Sequence, residues 1–182
     1  MCGICGELRF DGAPSDIAII RRMAEKLLRR GPDHEGIITD GSLAFGHRRL
    51  AIIDLSDHAN QPMVDKALKL ALVFNGTIYN YKALRKELGE LGYEFFSEGD
   101  SEVILKAYHA WGEKCVERFY GMFAFAVWDM RHLTLFLARD RFGEKPLYYG
   151  WAGRDLLFAS ELKAIREHPD FNGEIDRAAV AA

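Results

Sequence analysis

The residue with the most chemistry in reach is Cys2, one position behind Met1 in the opening Met1-Cys2-Gly3-Ile4-Cys5-Gly6. Removal of Met1 would leave Cys2 carrying both a thiol and a free α-amine. A thiol attacks only as its thiolate, at a reference pKa of about 8.5, and an adjacent α-amine of pKa about 7.7–8.0 accepts its proton near neutrality. Such a residue is a nucleophile that needs no histidine. The plainer reading is a small, buried, nearly apolar side chain, which is what most cysteines are. Cys2-x-x-Cys5 also has the spacing of a redox pair or of half a zinc site. A redox pair of this type sits at a helix start after a strand, and nothing precedes this one. A tetrahedral zinc needs two further ligands, and Cys115 has no second CxxC or paired-His motif beside it.

Other segments carry more polarity than a core requires. Asn75-Gly76 follows an apolar run that ends at Phe74. Asn-Gly is among the strongest turn dipeptides; its alternative is an oxyanion hole made from the Asn75 side-chain amide and the Gly76 backbone N–H. Arg48-Arg49 lies inside an apolar strand, where adjacent side chains take opposite faces. One of the two therefore points inward, and an inward guanidinium needs a carboxylate or phosphate from the protein or from a ligand. Asp100 follows Gly99 at a helix start, where N-capping is the usual role and a ligand contact the rarer one. Arg139-Asp140-Arg141 and Lys145-Pro146 read as a charged, structural turn between strands.

Elements must hold these groups in place. Gly3 to Phe10 reads as a strand ended by the turn Asp11-Gly12-Ala13-Pro14. Ser15 reads as the N-cap of a helix whose Ile17, Ile20, Met23, Ala24, Leu27 and Leu28 form one apolar face, stopped by Gly31-Pro32. Ser42–Asp54 and Leu68–Phe74 have strand composition. Asn80 is the cap of a helix carrying Leu84, Leu88 and Leu91, and a second helix from about Asp100 turns Val103, Ile104, Ala107, Tyr108 and Trp111 inward. The second half changes character. Gly121–Asp129, His132–Arg139, Pro146–Gly150 and Leu156–Ser160 are short runs divided by turn residues, the pattern of an antiparallel meander. Helices and strands in separate blocks point to an α+β fold with sheets packed on each other and covered by helices.

A chain of 182 residues fits one domain with a real core. A composition of 49% hydrophobic and 28% charged residues with net charge −3 describes a soluble globular protein without an electrostatic footprint for nucleic acid. Met122 to Trp128, the longest apolar run, is too short to span a membrane. The N-terminus lacks the pattern of a secretory signal, so reduced thiols in the cytoplasm are expected.

Eight segments in series resemble one known family. They are Met1–Ile4, Arg30-Gly31-Pro32-Asp33, His47–Asp54, Asn75-Gly76-Thr77-Ile78-Tyr79-Asn80, Asp100-Ser101-Glu102, Gly121–Ala126, Arg139–Tyr149 and Ala159–Ile165. Together they resemble the glutaminase domain of glutamine-dependent asparagine synthetases, class II glutamine amidotransferases of the N-terminal-nucleophile hydrolase type. The resemblance implies a four-layer αββα sandwich of two mostly antiparallel sheets covered by helices. It implies that Cys2 attacks the side-chain amide of L-glutamine and that Asn75 and Gly76 hold the oxyanion. Arg49 would pair with the substrate α-carboxylate and Asp100 with its α-ammonium, while a strand Leu50–Ile53, with Leu50, Ile52 and Ile53, would line the pocket. Thr77 stands where this family usually has Glu, which leaves Asp100 to hold the ammonium.

The resemblance also implies a C-terminal ATP-pyrophosphatase synthetase domain as partner, with ATP and Mg²⁺ needed there and no cofactor or metal in this domain. No Ser-Gly-Gly-x-Asp-Ser loop occurs in the chain. Residues 1–170 are accordingly expected to be the glutaminase domain and 171–182 the start of a connection. A homodimer is a further option, and neither nucleic acid nor membrane is expected as a partner. The acceptor could be aspartate or another acid such as a sugar carboxylate. The competing readings are the glutaminase of a sister amidotransferase and a degenerate regulatory module, the latter supported by Thr77.

Overall fold

A computed structural model describes residues 1–174. Along the chain run β1 (Gly3–Arg9), α1 (Ile17–Glu25), β2 (His34–Asp40), β3 (Leu43–Arg49), β4 (Met63–Asp65), β5 (Leu70–Ile78), α2 (Tyr81–Glu90), α3 (Asp100–Trp111), β6 (Gly121–Asp129), β7 (Thr134–Arg139), β8 (Tyr148–Ala152), β9 (Asp155–Ala159) and α4 (Leu162–Ile165). One sheet has the order β2-β3-β1-β9-β8 and the other β4-β5-β6-β7. All pairings are antiparallel. The expected α+β sandwich is present. No helix among the described residues is long and apolar enough to cross a membrane.

Three apolar layers separate the four structural ones. Ile20, Met23 and Leu27 of α1 and its following turn pack with Cys5, Ala44 and Leu157 on the outer face of the first sheet. Leu72, Phe74, Phe123 and Phe125 pack beneath Leu84, Val103 and Ile104 on the outer face of the second. Between the sheets, Phe45, Phe158 and Trp128 interdigitate with small residues, Ala71, Ala124 and Ala126. Strands covered on both faces lose the alternation of apolar with polar residues, which is why Leu70–Phe74 reads as a continuous apolar run.

Several boundaries differ from the sequence reading. Asp16, not Ser15, caps α1: its Oδ1 accepts the Ala18 N–H at 2.8 Å, while the Ser15 hydroxyl donates to the Ser42 carbonyl. Asn80 holds the N-cap position of α2 but does not cap it. Its amide instead donates to the Arg118 carbonyl and accepts the Tyr120 N–H, tying α2 to the entry of β6. Leu28 and Leu91 are exposed. β2 and β4 have no counterpart in the sequence reading.

The four C-terminal strands do not form one meander. β6 and β7 belong to the second sheet, and β8 and β9 return to the first. The crossing is made at Asp140, whose carboxylate accepts the N–H groups of Phe123, Phe142, Glu144 and Lys145. Four donors hold the Asp140 carboxyl below the usual carboxylate range against the opposing effect of burial.

Candidate active site

Strand alternation carries the apolar inter-sheet layer directly into the site. On β1, Ile4 and Leu8 face the second sheet, and Cys2 continues the same parity. On β3, Leu43 and Phe45 do so, followed by His47 and Arg49. On β5, Ala71 and Val73 do so, followed by Asn75 and Thr77. The layer thus turns polar at one end, and Cys2, Arg49, Asn75 and Thr77 line a cleft of about 150 Å³ with Asp100 and Lys145, while His47 lies buried behind it. Leu50, Ile52, Ile53, Gly76 and Met1 also line it.

Cys2 sits under the backbone of the segment after β3. Its Sγ accepts the Leu50 N–H at 3.4 Å and lies 3.7 Å from the Leu50 carbonyl. Burial pushes the thiol pKa up, opposed by the Leu50 hydrogen bond, the positive N-terminus and Arg49, while Asp100 adds to the rise. The Cys2 carbonyl accepts Arg30 Nε at 2.9 Å, and Arg30 is fixed in turn by Glu161 at 3.1 Å. Cys5 is turned the other way, buried against Ile20 and Met23 with its Sγ on the Gly46 carbonyl. The two cysteines therefore do not share a site.

Asn75 and Gly76 are not a turn. They lie within β5, opposite Ala124 and Phe123 of β6. Two neighbours on the edge of β5 turned away from β6 are satisfied by side chains: Phe74 N–H donates to Gln61 and Ile78 N–H to Asp100. Alternation puts the Gly76 N–H on that same edge, between them, facing the cleft. A Cβ at Gly76 would lie 2.2 Å from the Met122 carbonyl oxygen, so only glycine fits. Asn75 is 1% exposed, and its Nδ2 is buried without a hydrogen-bond partner. A buried donor without a protein partner is uncommon in native folds, and among the described residues this one alone also lines the cleft.

Arg49 is the inward arginine and Arg48 the outward one, which pairs with Glu35 and the Ala24 carbonyl. The Arg49 guanidinium lines the cleft and also donates to the carbonyls of Asp54 and Ser56 and to Asn60 Oδ1. β3 ends at Arg49, and Leu50–Ile53 is an irregular segment and not the expected strand, with the Leu50 N–H donated to Cys2 Sγ. Ile52 is 72% exposed and borders the cleft from its rim. Asp100 is the first residue of α3, with Gly99 in the cap position. Its carboxyl is buried and its pKa raised by that burial, opposed by backbone N–H groups led by that of Ile78.

Two groups at the site have no clear sequence signal. Lys145, read from sequence as part of a structural turn, has its backbone in that turn and its side chain on the cleft wall. His47 is fully buried, and its Nε2 bonds the Phe74 carbonyl at 3.1 Å, joining the sheet of Cys2 to the strand of Asn75. Because the partner is a carbonyl, Nε2 carries the proton and donates. Burial holds the His47 pKa down at about 3, so the ring is neutral. The unfolded chain takes up a proton there near 6.5 and the folded chain does not. Stability is therefore full above that pH and falls as pH drops toward 3, by at most about 1.4 kcal/mol per pH unit from this ring. Urea midpoints between pH 7.5 and 5 should fall in the parent and fall less steeply in His47→Gln; equal slopes would place the proton uptake elsewhere.

The glutamine amidotransferase domain family matches residues 1–182, the whole chain. The chain is also 41% identical over 184 residues to Bacillus subtilis asparagine synthetase [glutamine-hydrolyzing] 3, covering all of itself and 30% of that protein. It is a member of the glutamine amidotransferase family. A putative glutamine-hydrolyzing asparagine synthetase 2 of Methanocaldococcus jannaschii is 39% identical over 94% of the chain and 36% of its own length. This glutamine amidotransferase domain thus spans about a third of the length of these curated relatives. Among solved structures, the glutamine phosphoribosylpyrophosphate amidotransferase of B. subtilis superposes with a TM-score of 0.76 at 23% identity, over 91% of this chain and 43% of that one. That likeness places the glutamine amidotransferase domain in the same two-sheet fold.

Proposed function

We propose that this domain hydrolyses L-glutamine to L-glutamate and ammonia through a γ-glutamyl thioester on Cys2. The observation that carries the reading is the buried, unpartnered Asn75 Nδ2 lining the same cleft as the Cys2 thiol. With Met1 removed, the α-amine of Cys2 takes the thiol proton and sulfur attacks the amide carbon. The Asn75 amide and Gly76 N–H hold the oxyanion of the tetrahedral intermediate. The protonated α-amine returns its proton to the leaving nitrogen, ammonia departs, and water, deprotonated by the same amine, hydrolyses the thioester. Arg49 binds the α-carboxylate of glutamine and Asp100 its α-ammonium, while Leu50, Ile52, Ile53 and Thr77 shape the cleft around it.

In this reading residues 1–170 form the glutaminase unit and 171–182 lead on toward a synthetase domain that consumes the ammonia. Of that stretch, 175–182 lie outside the described residues. The resemblance to glutamine-hydrolyzing asparagine synthetases supports aspartate as the acceptor, in a cytoplasmic enzyme. ATP and Mg²⁺ would bind that further domain, as the resemblance to glutamine-hydrolyzing asparagine synthetases implies.

Glutamate release from glutamine by the Met1-free protein, with intact mass after a glutamine-like diazo ketone, tests the reading. The label should sit on Cys2; its appearance on Cys5 or Cys115 would overturn the mechanism. Thr77→Glu adds a carboxylate beside Asp100 and should lower KM for glutamine, with kcat within a fewfold. A charged hydrogen bond bounds the gain at about 1–3 kcal/mol. An unchanged KM would mean that the ammonium is held away from residue 77.

A further inference from the structure

Lys145 is built into the cleft in a way that a structural turn does not need. Its backbone is fixed at both ends: its N–H donates to Asp140 at 3.1 Å, and its carbonyl accepts Arg139 Nε at 2.8 Å. The stiff turn leaves only the side chain free to choose a partner. That side chain is buried on the cleft wall, and among the described residues its Nζ bonds only Met1 Sδ, at 3.3 Å. A thioether is a weak acceptor, and a buried ammonium without a carboxylate is costly.

The other charges of the cleft are committed. Arg49 of β3 serves the carbonyls of Asp54 and Ser56 and the Asn60 amide. The Asp54 carboxylate accepts the N–H groups of Ser56 and Glu98. Asp100 of α3 accepts that of Ile78, and Arg30 behind Cys2 is paired with Glu161. Lys145 faces the N-terminus without such a partner. Met1 Sδ is five bonds from the Cys2 nitrogen, so covalent geometry puts Nζ within about 10 Å of the α-amine that Met1 removal creates.

We propose that the Lys145 ammonium keeps the Cys2 α-amine in its free-base form at neutral pH, and so sets the acid limit of the glutaminase. This rests on the reading of Cys2 as nucleophile with its own amine as base. A cation within reach of an ammonium disfavours the charged form and lowers its pKa. Lys145 thus acts through the amine and does not itself touch the reacting atoms.

The test compares Met1-free parent, Lys145→Met and Lys145→Arg, with circular dichroism to verify folding. In Lys145→Met the acid limb of kcat/KM for glutamine should move up by about half to one pH unit, with the rate recovering at alkaline pH. Lys145→Arg should restore the parent limb. The pH dependence of Cys2 alkylation by iodoacetamide should shift in parallel, a readout that does not need turnover. An unmoved limb and alkylation profile in folded Lys145→Met would overturn the proposal while the parent still turned over glutamine. A parent that released no glutamate would instead sink the glutaminase reading, and the alkylation profiles would still decide the role of Lys145.

Discussion

Cys2→Ala should abolish glutamate release, by more than about 10⁴-fold, and leave the thermal midpoint within a few degrees of the parent. The two halves of that result have separate physical grounds. No other thiol reaches the cleft: Cys5 is packed under α1 with its thiol pushed up to about 12 by burial, and Cys115 is buried beneath the other sheet with a similar value. The fold, for its part, makes little use of Cys2. The residue precedes β1, belongs to none of the three apolar layers and bonds only the Leu50 backbone through its sulfur. Cys5→Ala should behave in the opposite manner, losing stability with kcat kept. Residual turnover by Cys2→Ala above a hundredth of the parent rate would require a different nucleophile.

Asn75→Ala is expected to lower kcat by about 10²–10³-fold with KM changed only a fewfold, the behaviour of a donor used chiefly in the transition state. Stability should not fall with it. Truncation removes a buried donor that has no partner in the free protein, so no protein hydrogen bond from that donor is lost. Asn75→Asp keeps the shape of the side chain and presents a negative charge to the developing oxyanion, and its kcat should be at least as low. Steady-state kinetics of both variants, paired with urea unfolding, separate the effects. A normal kcat in Asn75→Ala would assign the oxyanion to the Gly76 N–H alone.

What the sequence disclosed was strongest where a rule of alternation or covalent chemistry applied. Cys2 was legible because its position gives it an amine as well as a thiol. Arg48-Arg49 was legible because one member of an adjacent pair on a strand must point in, and Arg49 does. Asn75-Gly76 left a turn and an oxyanion hole open because local propensity favours a turn, and only the tertiary pairing with Ala124 and Phe123 shows the strand running straight through it. The apparent meander failed for a related reason: hairpin-length spacing says that strands are close, not that they share a sheet, and the Asp140 carboxylate that moves the chain between sheets leaves no periodic trace. Leu50–Ile53 has strand composition, yet it forms a loop that brings the Asp54 and Ser56 carbonyls back to the Arg49 side chain, a closure that composition does not signal. Lys145 was read as part of a charged structural turn, and its place on the cleft was not legible because only the three-dimensional return of that turn to the N-terminus gives it a neighbour.

Strand β1, which follows Cys2 directly, is hydrogen-bonded on one side to β3 and on the other to β9, with Cys5 opposite Ala159. One flanking strand is therefore made soon after β1 and the other roughly 150 residues after β1. At a translation rate of about 5–20 residues per second, that gap lasts about 8 to 30 s. During it, the growing chain carries an N-terminus with no finished sheet to hold it, no Asn75 cleft closed over it and no Lys145 against its thioether. Met1 is then as accessible to an aminopeptidase as it will ever be. The topology thus gives the order of events a clock: Met1 is within reach while the chain is still open, and the walls of the cleft around Cys2 are complete only when the last strand arrives.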